Sequence, residues 1–168
     1  MQLNHMDDIV KKADRIVRKA GSRDPEVIAR YAGITIFDAP FQKLKGAYKV
    51  IERNRYIFIK EDLDDVMRSI VLLHEIGHDT LHRRQATQFH EFNLFEMNVN
   101  TMEFEANLFA AQIALPDEEV IEYIMQGFDA SEIARAMHSD INLVALKVSD
   151  LSRRGYAFHT PEHKKNFL

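Results

Sequence analysis

Residues 63–84 read LDDVMRSIVLLHEIGHDTLHRR, and the fold turns on this stretch. Leu63, Met67, Ile70 and Val71 recur at helical spacing, and the stripe continues through His74 and His78 to Leu81, which predicts a helix over 63–84. Asp62, Asp64 and Asp65 lie at its start and Arg83 and Arg84 at its end, complementing the helix dipole. Within it, His74-Glu75-Ile76-Gly77-His78 forms an HExxH pattern. Residues four apart on a helix have Cβ atoms about 6 Å apart, so two imidazoles can reach one metal. Glu75, between them, is placed to activate water as a general base. Both rings fall on the face expected to be buried, where an imidazole without a partner would cost about 1–3 kcal/mol. A shared metal satisfies both. Gly77 costs a helix interior about 1 kcal/mol relative to alanine, so another element is expected to approach closely there.

A catalytic zinc site uses three protein ligands and leaves a fourth position open. The third ligand is expected from a second helix, predicted from about 102 to 114 and ended by Pro116. Glu103 shares a small, polar face with Ala106, Asn107 and Ala110, and is preferred as ligand. Glu105 points about 200° away, on the side of Leu108 and Phe109, and stays as the alternative. Asn107 is placed to support a ligating histidine or to remain a surface amide. His82, a further turn beyond His78, is expected to play a structural or supporting role rather than bind metal. His90 is expected to be solvated.

The rest of the chain bounds the context. At 168 residues and 46% hydrophobic content it suits one compact unit with a real core. It has no cysteine, so disulfides, thiolate metal ligands and thiol nucleophiles are excluded. A net charge of −4 argues against duplex-DNA binding, which needs a basic face. Neither a signal peptide nor an apolar run long enough to span a membrane is visible, so a cytoplasmic protein is expected.

Working outward from the central helix, helices are predicted over 6–20 and 24–31, then a strand over 34–37. Strands over 47–51 and 55–59 form a hairpin through Glu52, Arg53 and Asn54. Either hairpin strand offers an edge to which an extended substrate could add. Residues 85–101 are irregular, with Phe89, Phe92 and Phe95 as core filling or a lid. Three shorter helices follow, over 117–125, 131–138 and 143–153. The last two resemble a helix-turn-helix, with Asp129 and Glu132 as a capping box. Lys147, Arg153 and Arg154 are its basic residues, set against Asp150, so packing or substrate docking is preferred to DNA reading. The expected class is α+β, divided into residues 1–116 with the metal site and a helical part, 117–168, packed on it.

HEIGHDTLH at 74–82 followed by EFEANLFAAQIALP at 103–116 resembles the ImmA/IrrE family of metallopeptidases. The likeness runs from about residue 24 to residue 116, including the Gly33-Ile34-Thr35-Ile36 run and the Gly46-Ala47-Tyr48 strand. It implies a zincin-like fold, one zinc ion, and endoproteolysis of a helix-turn-helix repressor encoded in a mobile element or phage. Asn107 stands where other glutamate-ligand zinc peptidases have an aspartate, which favours Glu103. The expected activity is therefore a zinc endopeptidase with His74, His78 and Glu103 as ligands and Glu75 as base. The alternative is a metal-binding regulator acting by protein contact or DNA binding without proteolysis. Tyr48, Tyr123 and Tyr156 are open as oxyanion donors.

Overall fold

The computed structural model describes residues 2–84 and 101–158, with side chains from residue 4. The expectations placed on Phe89, Phe92, Phe95 and His90 lie outside the described residues.

The first two helices, α1 (Gln2–Ala20) and α2 (Pro25–Ala32), lead into the sheet. Asp24 caps α2 by accepting from the Glu26 and Val27 amides, and Pro25 follows where its missing N–H costs nothing. Gly33, at φ 73°, ends the helix in the left-handed conformation that only glycine adopts freely.

Strands β1 (Ile34–Ala39), β2 (Gly46–Ile51) and β3 (Asn54–Lys60) form a mixed sheet in the order β1-β3-β2. The hairpin turns on Glu52 and Arg53, both at positive φ, and sets Tyr48 opposite Ile57. β1 runs parallel to β3, with Ile36 opposite Ile57. This order corrects one expectation. β3 is central and hydrogen-bonded on both sides, so among the described residues the edge strands are β1 and β2. Side chains alternate across the sheet, so Tyr48, Ile57 and Ile59 are fully buried while Phe37, Tyr56 and Phe58 form an aromatic ladder on the other face. Full burial of a side chain the size of Ile57 contributes about 1.5–3 kcal/mol.

The long helix α3 (Asp65–His82) crosses this sheet, capped by Asp64, whose carboxylate accepts from the Met67 amide. Its partner is α4 (Thr101–Ala114), which packs against α1, α3 and the last helix. Every residue of α4 from 106 to 113 is buried, so it is a core helix rather than an amphipathic one. Then come α5 (Asp117–Met125), α6 (Ala130–Ala136) and α7 (Ile141–Arg153), with the Asp129–Glu132 capping box present as expected. The fully buried Lys147 of α7 bonds to Gln112 of α4 and Asp117 of α5, and Arg154 pairs with Asp117 at 2.6 Å. The architecture is α+β, with seven helices and a three-stranded sheet among the described residues. No helix among the described residues is long and apolar enough to cross a membrane.

Candidate metal centre

Two glycines set the spacing of the site. A Cβ on Gly77 would lie 3.2 Å from Ala106 Cα, 3.3 Å from its carbonyl oxygen and 3.3 Å from a Phe109 ring carbon. Backbone cannot yield as a side-chain tip can, so glycine lets α4 lie directly against α3, as the unfavourable mid-helix glycine had suggested. On the opposite side, a Cβ on Gly46 would sit 2.5 Å from a Val71 methyl and 3.1 Å from Glu75 Oε1. The start of β2 therefore passes immediately over the Glu75 carboxylate.

Between these contacts, His74 and His78 converge with Glu103. Nε2 of His74 lies 3.1 Å from one Glu103 oxygen, and Nε2 of His78 lies 3.3 Å from the other. The two Nε2 atoms are 3.0 Å apart, and the three donors all fall within 4.8 Å of one another. Both rings are fully buried. Burial pushes the His74 pKa down to about 4, against the pull of Glu103, so the ring is neutral near pH 7. Burial also pushes the Glu103 carboxyl up, but hydrogen bonds with His74 and His78 outweigh it and hold the group well below the usual carboxylate range.

The ring orientations follow from the partners. Asn107 is fully buried, and its Oδ1 lies 2.8 Å from His74 Nδ1, which turns His74 Nε2 toward Glu103. Two ring nitrogens 3.0 Å apart, each within 3.3 Å of the Glu103 carboxylate, converge on one point, as the ligands of a shared cation do. Two imidazoles and a carboxylate suit a metal ion of borderline hardness.

Glu75 is the second sign. Its carboxylate is completely buried, and neither oxygen has a hydrogen-bond partner of normal geometry. Burial raises its pKa well above the ordinary value and the Glu103 charge adds to this, with the Tyr48 backbone amide pulling the other way. An orphaned carboxylate of this kind costs several kcal/mol unless water, a proton or a nearby cation compensates it. A metal in the cradle would provide that cation.

The family model described as the IrrE N-terminal-like domain, a peptidase model, matches residues 29–149, which span all of these side chains. The chain belongs to the IrrE N-terminal-like peptidase family. Among the relatives of this domain, immunity region protein 2 of Bacillus phage phi105 is 36% identical over 129 residues, 75% of this chain and 80% of the relative. Metallopeptidase ImmA of Bacillus subtilis is 37% identical over 81 residues. That match covers 46% of each chain, so it spans about half of the relative's length. The resemblance read from the two motifs is thus borne out at the level of the family.

In this IrrE-type domain the remaining sequence candidates fall into place around the cradle. Glu105 stands outside the group formed by His74, His78 and Glu103. It meets His82 Nε2 at 2.7 Å and His5 of α1 at 2.7 Å. His82 Nδ1 lies 3.2 Å from His78 Nδ1. Burial lowers the His82 pKa, against the pull of Glu105. His82 turns Nε2 to Glu105 and Nδ1 to His78, whose own Nε2 faces Glu103. The histidine expected in a supporting role thus lies directly behind a ring of the cradle.

Tyr48 leaves the set of oxyanion candidates. Its hydroxyl is buried and donates to Asp79 at 2.6 Å, and burial raises its pKa. Sequence reasoning missed Asp79, which is 2% exposed and also accepts from Arg55 at 2.9 Å and Arg83 at 3.0 Å. It ties β2 and β3 to α3 one residue beyond His78. A charged residue inside the otherwise buried stretch 70–79 was the available signal.

Proposed function

We propose that this protein is a zinc-dependent endopeptidase of zincin-like fold, with His74, His78 and Glu103 as metal ligands and Glu75 as the catalytic base. The observation that carries this reading is the Glu75 carboxylate, fully buried and without a hydrogen-bond partner of normal geometry among the described residues, beside three converging donors. A structural carboxylate would be matched as Asp79 is matched.

Zinc held by these residues would polarise the scissile carbonyl and lower the pKa of water toward about 7. Glu75 takes the proton from the attacking water and passes it to the departing amine. Its raised affinity for a proton suits the second half of that task, and burial keeps bulk water from competing for it. Asn107 and His82 fix the ring orientations by meeting Nδ1 of His74 and of His78. Gly46 lets β2, an edge strand among the described residues, run beside Glu75, so an extended peptide pairing with β2 would carry its backbone past the base.

The proposed substrate is a cytoplasmic helix-turn-helix repressor, which the protease cuts to release a mobile element, phage or stress regulon. Likeness to a phage immunity region protein and to ImmA supports it. The basic residues of the C-terminal helices favour a protein partner over a nucleic acid, because Lys147 and Arg154 are spent on Asp117 and Arg153 on Asp150 and Asp7. The test is co-expression with the repressor-like product of the adjacent gene. Wild type is expected to yield a discrete cleavage product, absent with Glu75→Gln. A repressor inactivated without any cut would overturn the protease reading.

A further inference from the structure

A cavity of about 530 Å³ is lined by Asp79 but by none of His74, His78 and Glu103. One wall is a single face of α1, where Lys12, Arg15, Ile16 and Lys19 recur at positions i, i+3, i+4 and i+7. Tyr31 and Ala32, from the end of α2, form the second wall. Arg55 and the last turns of α3, with Asp79 and Arg83, form the floor.

Five cationic side chains and one carboxylate line this space, in a chain whose net charge is −4. The carboxylate is already saturated by Tyr48, Arg55 and Arg83. Lys12 is paired with Asp8 at 2.8 Å, but the exposed Arg15 and Lys19 make no ion pair among the described residues. Gathering like charges without counter-charge is unfavourable, and it creates a potential that concentrates anions. Arg15 and Lys19 on α1 and Arg83 after α3 line the space from two elements and match the several oxygens of a phosphate. Tyr31, 51% exposed, adds a flat apolar ring at the rim of the same space. Cations that grip phosphate beside an aromatic face that can stack on a base are the two halves of nucleotide recognition. The volume lies in the range of small-molecule sites, roughly 300–1,000 Å³.

We propose that this cavity binds a phosphorylated nucleoside, with the phosphates against Arg15, Lys19 and Arg83 and the base on Tyr31. The site is independent of the metal centre and does not rest on the peptidase reading.

The test is calorimetric titration of the full chain at physiological salt with the four ribonucleoside triphosphates. Tripolyphosphate and the free nucleosides serve as half-ligands. At least one nucleotide is expected to saturate at one per chain and to bind more tightly than tripolyphosphate. Arg15→Glu combined with Lys19→Glu, both exposed and so compatible with folding, should weaken it by about tenfold or more. Tyr31→Ala should weaken nucleotide about fivefold or more while leaving tripolyphosphate unchanged. Glu103→Gln should change none of these values. Absence of saturation, equal affinity for tripolyphosphate, or preference for an oligonucleotide would each overturn the proposal. So would loss of binding in Glu103→Gln, which would put the ligand at the metal cradle.

Discussion

Helices α3 and α4 carry two clusters of the same chemical groups, about one turn apart. The inner cluster is His74, His78 and Glu103, and the outer is His82 and Glu105, completed by His5 of α1. In the outer cluster the groups meet in a chain: His82 turns Nε2 to Glu105, Glu105 also meets His5, and His82 turns Nδ1 to His78. In the inner cluster Asn107 and His82 lie on the Nδ1 sides of the two rings, and both Nε2 atoms turn to the Glu103 carboxylate, with the unmatched Glu75 beside them. Residue type alone therefore does not separate a metal cradle from a hydrogen-bond relay. The convergence of three donor atoms on one point does.

The sharpest separation comes from replacing the carboxylates one at a time. Glu75→Gln keeps volume and metal ligands but cannot accept a proton, so cleavage should fall about 10²–10⁴-fold while zinc content and fold persist. Zinc analysis alongside a cleavage assay reads both, and undiminished cleavage by the zinc-loaded variant would remove Glu75 from the mechanism. Glu103→Gln and Glu105→Gln then compare the clusters directly. In a chelator competition Glu103→Gln should weaken zinc binding by more than about 100-fold, and Glu105→Gln, acting only through His82 and His78, by about 10–100-fold. The reverse ranking would exchange the roles of the two clusters.

A third carboxylate gives the scale for a fully matched charge. The Asp117 carboxyl is raised by burial but lowered further by Arg154 and Lys147, to about 2 from an ordinary 3.8. A depressed folded-state value stabilises the fold above about pH 3.8, and that contribution is lost as pH falls through about 2. Asp117→Asn should cost about 2 kcal/mol near neutral pH and flatten the acid limb of a urea-unfolding profile. An unchanged acid limb would show that α5 and α7 are not held together by these ion pairs. The smallest expected effect is that of Gly77→Ala. Crowding the Ala106 backbone costs about 1–3 kcal/mol, and better helix propensity returns about 1, so a net loss near 1 kcal/mol is expected in thermal unfolding. A net gain would mean that α3 and α4 separate freely, and the inner cluster would lose its fixed spacing.

Much of this was legible before any coordinates. The period of residues 63–84 gave the helix, its burial gave meaning to two histidines four apart, and the cost of Gly77 pointed to the close approach of α4. The small residues Ala106, Asn107 and Ala110 placed Glu103 on the correct side. Three features were not legible, for identifiable reasons. The all-round burial of α4 depends on α1 and α7, which are distant in sequence. The sheet order depends on β1 pairing with β3 across the intervening β2, which no local pattern encodes. The partners of Glu105 were not legible because a helical wheel gives a direction but not a reach. Its side chain meets His82 and, from the distant α1, His5.

The proposed centre holds its metal through His74, His78 and Glu103, with His82 behind them. Zinc-edge X-ray absorption on the purified chain reads this arrangement, because multiple scattering from imidazole rings counts the histidines bound to the metal. The expected result is about one zinc per chain, only nitrogen and oxygen neighbours at about 2.0–2.2 Å, and two imidazoles, with the same spectrum from a His82→Gln variant. A first shell with three imidazoles that falls to two in His82→Gln would contradict it, and would make the outer cluster part of the metal site.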